Sequence, residues 1–418
     1  MLTEDSPFTP GVPVPVEFFV GRAEQVERLR SVWRESSATK VPRVAFVAGE
    51  RGIGKSSLAS FVRFLVLRDG AQIATHVHLG AATGLPEMAK KVWEQVLNDS
   101  ADRPWHRRLV EALGKRVAQV GLFGVTLELQ MDQSELEGLA RRFGQELRQL
   151  LRQTGDPSKA PLIILDDING LAESPAFANW LKSTVDEAAT ARERLPVTFV
   201  LVGLEERRRS LIRLHPSLAR MLEVVEITPW DPAETADFFR QAFGRAGRAL
   251  EHEALMLMVA CSGGYPMLAH EIGDAVYRVD QDRRVNAEDA FSGLRQAAEV
   301  VGRKHLQPHV FDAIRSPRYL SILRRAAKLG YSFTLRELRA RLNDTEEKAL
   351  GNFVARMKRL GVILPEREAG SGGYRFSNLL HHMYFLMEAL GEEQLSTVLT
   401  YTRQIVSGTA GPGPSSSG

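Results

Sequence analysis

The stretch Gly49-Glu50-Arg51-Gly52-Ile53-Gly54-Lys55-Ser56 follows directly on the apolar run Val44-Ala45-Phe46-Val47-Ala48 and fits the pattern G-x-x-x-x-G-K-[ST]. The run reads as a buried strand, and Ser56 to Val62 opens a helix, so the glycines fall at a strand-to-helix turn. In such a turn backbone N–H groups curl round an anion, and the positive end of the following helix faces it. Gly49 to Ser57 is therefore the expected phosphate cradle. Lys55 is placed to reach β- and γ-phosphates. Ser56 offers a hydroxyl to Mg²⁺, which takes few protein oxygens and keeps several waters.

A site of this kind needs a second acidic element, and Pro161-Leu162-Ile163-Ile164-Leu165-Asp166-Asp167 supplies it. Four apolar residues ending in two acids put Asp166 at the carboxyl end of a buried parallel strand, where such sheets keep their ligands. Asp166 is expected in the Mg²⁺ shell. Asp167 is the group to orient or deprotonate an attacking water.

Composition agrees with an enzyme of several domains inside the cell. The chain has 418 residues, 44% hydrophobic and 25% charged, which is ordinary for globular protein and sets a prior of two to four domains. No stretch reaches membrane-span length, and the N-terminus lacks the order of a secretion signal, so a cytoplasmic location is expected. The single Cys261 cannot close a disulfide within the chain. His76 and His78 alternate on one expected strand and His381-His382 are adjacent on an expected helix; both pairs read as structural or exposed rather than as ligands.

The net charge of +3 hides a division. From Arg315 to Arg375 there are 14 Lys/Arg against 6 Asp/Glu, a balance of +8 that leaves the remainder at −5. This basic segment patterns as a winged helix-turn-helix. Tyr319 to Ala327 gives a first helix, Thr334 caps a second over Leu335 to Leu342, and Asn343 or Asp344 caps a third. Leu350, Phe353, Val354, Met357 and Leu360 form the apolar stripe of that third helix, leaving Lys348, Asn352, Arg356 and Arg359 outward as nucleic-acid candidates. Val362 to Leu364 and Tyr374 to Phe376 read as two strands of a wing, with Arg367 and Arg375 flanking its tip. Winged helices also dock proteins, so a protein partner stands beside DNA.

Val197 to Gly203 and Val224 to Ile227 are further expected strands. Strands alternating with helices give an α/β class. Leu122 to Leu129 is a candidate strand inside the long segment between the two site elements. Asp231, Pro232 and Glu234 resemble a capped helix start, after which the pattern is helical to about residue 304, broken at Ser262-Gly263-Gly264-Tyr265-Pro266.

Together with Phe19-Val20-Gly21-Arg22-Ala23-Glu24, these motifs resemble the AAA+/STAND ATPases, most of all the archaeal-type and origin-recognition-like members, over roughly residues 15 to 390. The resemblance implies an ASCE P-loop NTPase core with a parallel sheet and flanking helices, followed by a helical lid and a winged helix-turn-helix. The implied limits are the core 17–228, the lid 229–305 and the winged helix 310–395; Pro7, Pro10, Pro13 and Pro15 make residues 1–16 an expected extended lead-in, and the Gly/Pro/Ser composition of 407–418 reads as a disordered tail. The resemblance also implies ATP with Mg²⁺ as cofactor and Val20, Gly21 and Pro266 as adenine contacts. Arg220 would be an arginine finger sent into a neighbouring subunit of a homo-oligomer.

Two departures stand out: Val202-Gly203-Leu204 lacks the polar residue many relatives place at that strand end, and Pro266-Met267 stands where a sensor arginine is common. Many relatives carry glutamate where Asp167 stands. Slow hydrolysis is therefore expected, in a DNA-associated switch or in a regulatory, signalling NTPase whose winged helix binds protein.

Overall fold

The computed structural model describes residues 6–12, 14–16, 19–114, 117–120, 126–154, 156, 158–366, 372–390, 400 and 402–404. It divides into two compact units, Pro13–Thr228 and Met1–Val12 with Pro229–Gly418. The expected tail at 407–418 and Arg367 lie outside the described residues.

The first unit begins with α1 (Ala23–Thr39), β1 (Arg43–Gly49), α2 (Lys55–Arg68), β2 (Ala74–His78), α3 (Leu85–Asp99) and α4 (His106–Leu113). A hairpin of β3 (Val117–Val120) and β4 (Thr126–Leu129) follows, then α5 (Gln133–Arg141), α6 (Phe143–Gln153), β5 (Leu162–Asp166), α7 (Pro175–Thr190), β6 (Thr198–Gly203), α8 (Glu205–Leu214) and β7 (Leu222–Ile227). The candidate strand at 122–129 is thus β4 in its second half, and residues 121–125 lie outside the described residues.

Five strands make one parallel sheet in the order β2-β5-β6-β1-β7. Every residue of β5 and β6 is buried, as expected of strands covered on both faces, and this is why their sequences are continuous apolar runs rather than alternating ones. The strand β6 separates β1 from β5, so the loop after β1 and the acids after β5 reach the same sheet edge from two strands that are not neighbours. Phe46, Phe143, Phe177 and Phe199 fill the core, with the Phe143 and Trp180 rings edge to face at 5.3 Å.

The second unit opens on a capping box: Glu234 N–H donates to Asp231 at 2.8 Å and Asp231 N–H to the Glu234 carboxylate at 3.1 Å, with Pro232 at the first position of α9 (Pro232–Arg245). β8 (Ala249–Leu250), α10 (His252–Ser262), α11 (Pro266–Val279), β9 (Arg284–Val285) and α12 (Ala287–Val301) follow, and a π-type turn over Gly302–Phe311 leads to α13 (Asp312–Ile314). Phe8 inserts among Phe238, Phe243 and His270, while Thr9 N–H donates to His270 Nδ1 at 3.1 Å. Burying one phenylalanine contributes about 1.5–3 kcal/mol, so Phe8 anchors residues 6–12 to this unit.

The winged helix comprises α14 (Pro317–Leu329), β10 (Ser332–Thr334), α15 (Leu335–Arg339), α16 (Asp344–Glu347), α17 (Leu350–Arg359), β11 (Ile363–Pro365), β12 (Gly373–Phe376) and α18 (Leu379–Leu390). Its three strands form an antiparallel sheet in the order β10-β12-β11. The third helix expected from Asn343 onward is broken in two. Glu346 is buried, closing the capping box with Asn343 that starts the first piece and pairing with Ser321 at 2.6 Å and Arg325 at 3.2 Å.

Candidate functional site

The chain leaves β1 at Gly49 and turns through Gly52 (φ 73°) and Gly54 (φ 93°), left-handed conformations that cost glycine little, before α2 begins at Lys55. No side chain caps α2. Its first N–H groups and the positive end of its dipole are left for an anion, and buried Ile53 pins the loop from below. Lys55 Nζ donates to the carbonyls of Gly49 at 3.0 Å and Glu50 at 2.6 Å, curled over its own loop. Burial pushes its pKa down, with Asp166 and Asp167 pulling the other way. Glu50 and Arg51 are exposed, and the Ser57 hydroxyl accepts from Val14 N–H at 3.2 Å.

Asp166 ends β5, 2% exposed. One carboxylate oxygen accepts from Asp167 N–H at 2.8 Å, and the other lies 2.8 Å from His76 Nε2 and 3.5 Å from His78 Nδ1. Burial works to raise its pKa, but hydrogen bonds from His76 and the Ser56 hydroxyl outweigh it and hold the group below the usual carboxylate range. Ser56 and Asp166 thus bring two oxygen donors together. Hard, small Mg²⁺ requires that set, and the uncapped helix end beside it suits a phosphate, so the residues fit a magnesium nucleotide.

Asp167 sits in the left-handed region (φ 54°), a conformation that costs a residue with a Cβ about 1 kcal/mol and turns its side chain out to solvent. Asn169 donates to its Oδ1, and Asn169 Oδ1 accepts from Leu204 N–H at 3.4 Å, just past β6. This pair of partners fixes which way the Asn169 amide points. The polar group missing from the end of β6 is therefore supplied from the loop after β5. On the other side Asp167 Oδ2 lies against Gly80, where a Cβ would come within 2.5 Å of it.

Gly21 (φ 72°) and Arg22 (φ 63°) make a left-handed pair, and the buried Arg22 guanidinium donates to Ile53 O at 3.5 Å, fastening the Val20-Gly21-Arg22 segment to the phosphate loop. Pro266 is buried at the start of α11 in the second unit. Arg220 is exposed at the end of a 3-10 turn over Pro216–Arg220 and takes no part in the contacts that join Lys55, Ser56 and Asp166.

In the winged helix Lys348, Asn352 and Arg359 are exposed as the helical spacing predicts. Arg356 and Arg375 differ from expectation. Arg356 donates to Ala313 O at 3.1 Å, and Arg375, in the middle of β12 rather than at the tip, donates to the Tyr331 hydroxyl at 3.0 Å. Both are drawn inward by acceptors distant in sequence. The histidine pair on β2, Asn169 and Gly80 were not marked as site residues; only the period-two spacing of His76 and His78 carried a readable signal.

The family model described as AAA ATPase domain matches residues 19–200. This stretch is an AAA ATPase domain. It carries both the phosphate loop and the two acids, so the AAA domain is an ATP-binding P-loop unit of the ATPase class. Two solved structures share the fold over nearly the whole chain. The Walker-type ATPase of Pyrococcus abyssi is 17% identical with a TM-score of 0.54, covering 92% of this chain and 99% of its own. The ORC2 protein of Aeropyrum pernix, solved as ADPNP–ADP complexes, is 16% identical with a TM-score of 0.55, covering 97% and 98%. No curated protein sequence matches the chain. Among the described residues no helix is long and apolar enough to cross a membrane.

Proposed function

We propose that the AAA domain binds ATP with Mg²⁺, hydrolyses it slowly, and acts as a nucleotide-dependent switch whose output is DNA association and ATP-gated assembly. The observation that carries this reading is the meeting of Lys55, Ser56 and Asp166 at the uncapped start of α2. When bound, Mg²⁺ offsets the negative charge that develops on the transferred phosphoryl group. Lys55 exchanges its two carbonyl partners for β- and γ-phosphate oxygens, and Ser56 and Asp166 hold the metal. Asp167 orients or accepts a proton from the attacking water. Val20 and Gly21, fastened to the phosphate loop through Arg22, contact the adenine, and exposed Arg220 serves a neighbouring subunit.

The surroundings of Asp167 support the slow turnover proposed here. Its side chain is one methylene shorter than glutamate, and one of its two oxygens is already engaged by Asn169. The proposed limits are 17–228 for the core, 229–305 for the lid and 310–395 for the winged helix.

For the output, the balance of +8 between Arg315 and Arg375 and the exposed Lys348, Asn352 and Arg359 favour duplex DNA. The inward pairing of Arg356 and Arg375 narrows that face and favours the second reading, a signalling NTPase whose winged helix binds protein. Calorimetry with MgATP and phosphate-release assays test the core claim. Wild-type chain is expected to give binding heat and slow release, with binding abolished in Lys55→Ala and release lost in Asp167→Asn. Absence of heat with the wild-type chain, or equal release from all three proteins, refutes it.

A further inference from the structure

We propose that His76, His78 and Asp166 form a binding site for a divalent cation of the zinc class, distinct in chemistry from the oxygen-only set that suits magnesium. The placement follows from the sheet. Side chains two apart on a strand share a face, so His76 and His78 project together from β2, their rings 4.6 Å apart. The parallel pairing of β2 with β5 puts His78 directly opposite Asp166. One nitrogen from each ring and one Asp166 oxygen all lie within 4.8 Å of one another.

A tetrahedral ion with bonds near 2.0–2.2 Å holds its ligand atoms about 3.3 Å apart. Asp166 Oδ2 is 3.5 Å from His78 Nδ1 and 2.8 Å from His76 Nε2, so the first pair is already spaced for such an ion and the second must open by about half an ångström. Two imidazole nitrogens and one carboxylate oxygen favour zinc, cobalt or nickel over magnesium and calcium, and three protein ligands leave a fourth position for water.

The next layer of residues supports a ligand role for His76. Ser60 Oγ lies 3.0 Å from its Nδ1. With Asp166 as acceptor, the Nε2 proton faces the carboxylate and Ser60 donates to Nδ1. In the tautomer that leaves the Nε2 lone pair to a cation, Nδ1 carries the proton and the Ser60 hydroxyl can accept it, which orients the ring as a ligand. Asp166 would be shared with the proposed magnesium shell, and zinc would then compete with MgATP. That consequence rests on the function proposed above, whereas cation binding itself does not.

The test is a titration of the nucleotide-free full chain with Co²⁺ in millimolar magnesium, read by visible d–d absorption, followed by displacement with Zn²⁺. The wild-type chain is expected to bind one equivalent and give the intense bands of a tetrahedral ion. His78 is exposed, so His78→Ala keeps the fold, which its melting curve checks; the variant is expected to lose at least about tenfold in affinity. A wild-type chain without a saturable band, or a His78→Ala variant that titrates like wild type, overturns the proposal. Since no nucleotide is present, either result is independent of whether ATP binds.

Discussion

Gly80→Ala tests the role of Asp167 without touching the carboxylate itself. A Cβ at position 80 would stand 2.5 Å from Asp167 Oδ2, and ordinary contact begins at 3.4 Å, so the oxygen must retreat by about 0.9 Å. Gly80 does not adopt a positive φ, and the atom it meets is the mobile end of a side chain, so the fold tolerates the substitution. The retreat works against the Asn169 hydrogen bond on the other oxygen. Displacing a catalytic group by about 1 Å costs on the order of 100-fold in rate, which is about 2.7 kcal/mol of transition-state stabilisation. Steady-state phosphate release at saturating MgATP measures kcat, calorimetry gives the nucleotide Kd, and a thermal melt monitors the fold. The expected result is a kcat lower by about two orders of magnitude with Kd and Tm nearly unchanged. A kcat within about twofold of wild type would show that Asp167 does not act on the attacking water.

Two further outcomes follow from the second unit. Burial pushes the pKa of His270 and His382 down to about 4 from the ordinary 6.5, so both stay neutral in the folded chain while the unfolded chain protonates. Their contribution is fully present above about pH 6.5 and is lost as pH falls towards 4, about 2 kcal/mol each by pH 5; a urea midpoint that stays flat between pH 7.5 and 5 contradicts this. On the basic face, Lys348→Ala with Arg359→Ala removes two exposed cations, and if they grip duplex phosphates the slope of log affinity against log salt shrinks by about 2. An unchanged slope would move the winged helix to the protein-docking reading.

The parts of the fold that could be read directly are those whose cause is local. Strand, glycine turn and helix are contiguous from Val44 to Val62, and the acids follow their strand without a gap, so both elements of the site were legible. The contacts between elements were not. His76 and Asp166 are 90 residues apart and meet only because β2 and β5 are neighbours in the sheet, an order that no local pattern encodes. Helical spacing pointed Arg356 outward, but a long side chain can fold back to a distant carbonyl, here that of Ala313. The burial of Glu346 has the same origin, since Ser321 and Arg325 on α14 draw it inward. The prolines before residue 16 suggested an extended lead-in, and nothing local announced that Phe8 would find an aromatic cluster around α9 and α11.

Asp166 shows why the acid end of this site is built as it is. An ionised carboxylate 2% exposed to water is costly unless its lone pairs are used, and here Ser56, His76 and the Asp167 N–H use them. An imidazole suits that task because its Nε2–H can donate to the carboxylate while the ring remains a potential nitrogen ligand. Lysine in its place would neutralise the acid and weaken that pull, whereas an apolar side chain would let burial raise the pKa towards protonation. The histidine therefore keeps Asp166 both ionised and electrostatically available, and with His78 at its side the same arrangement presents two nitrogen donors to an ion softer than magnesium.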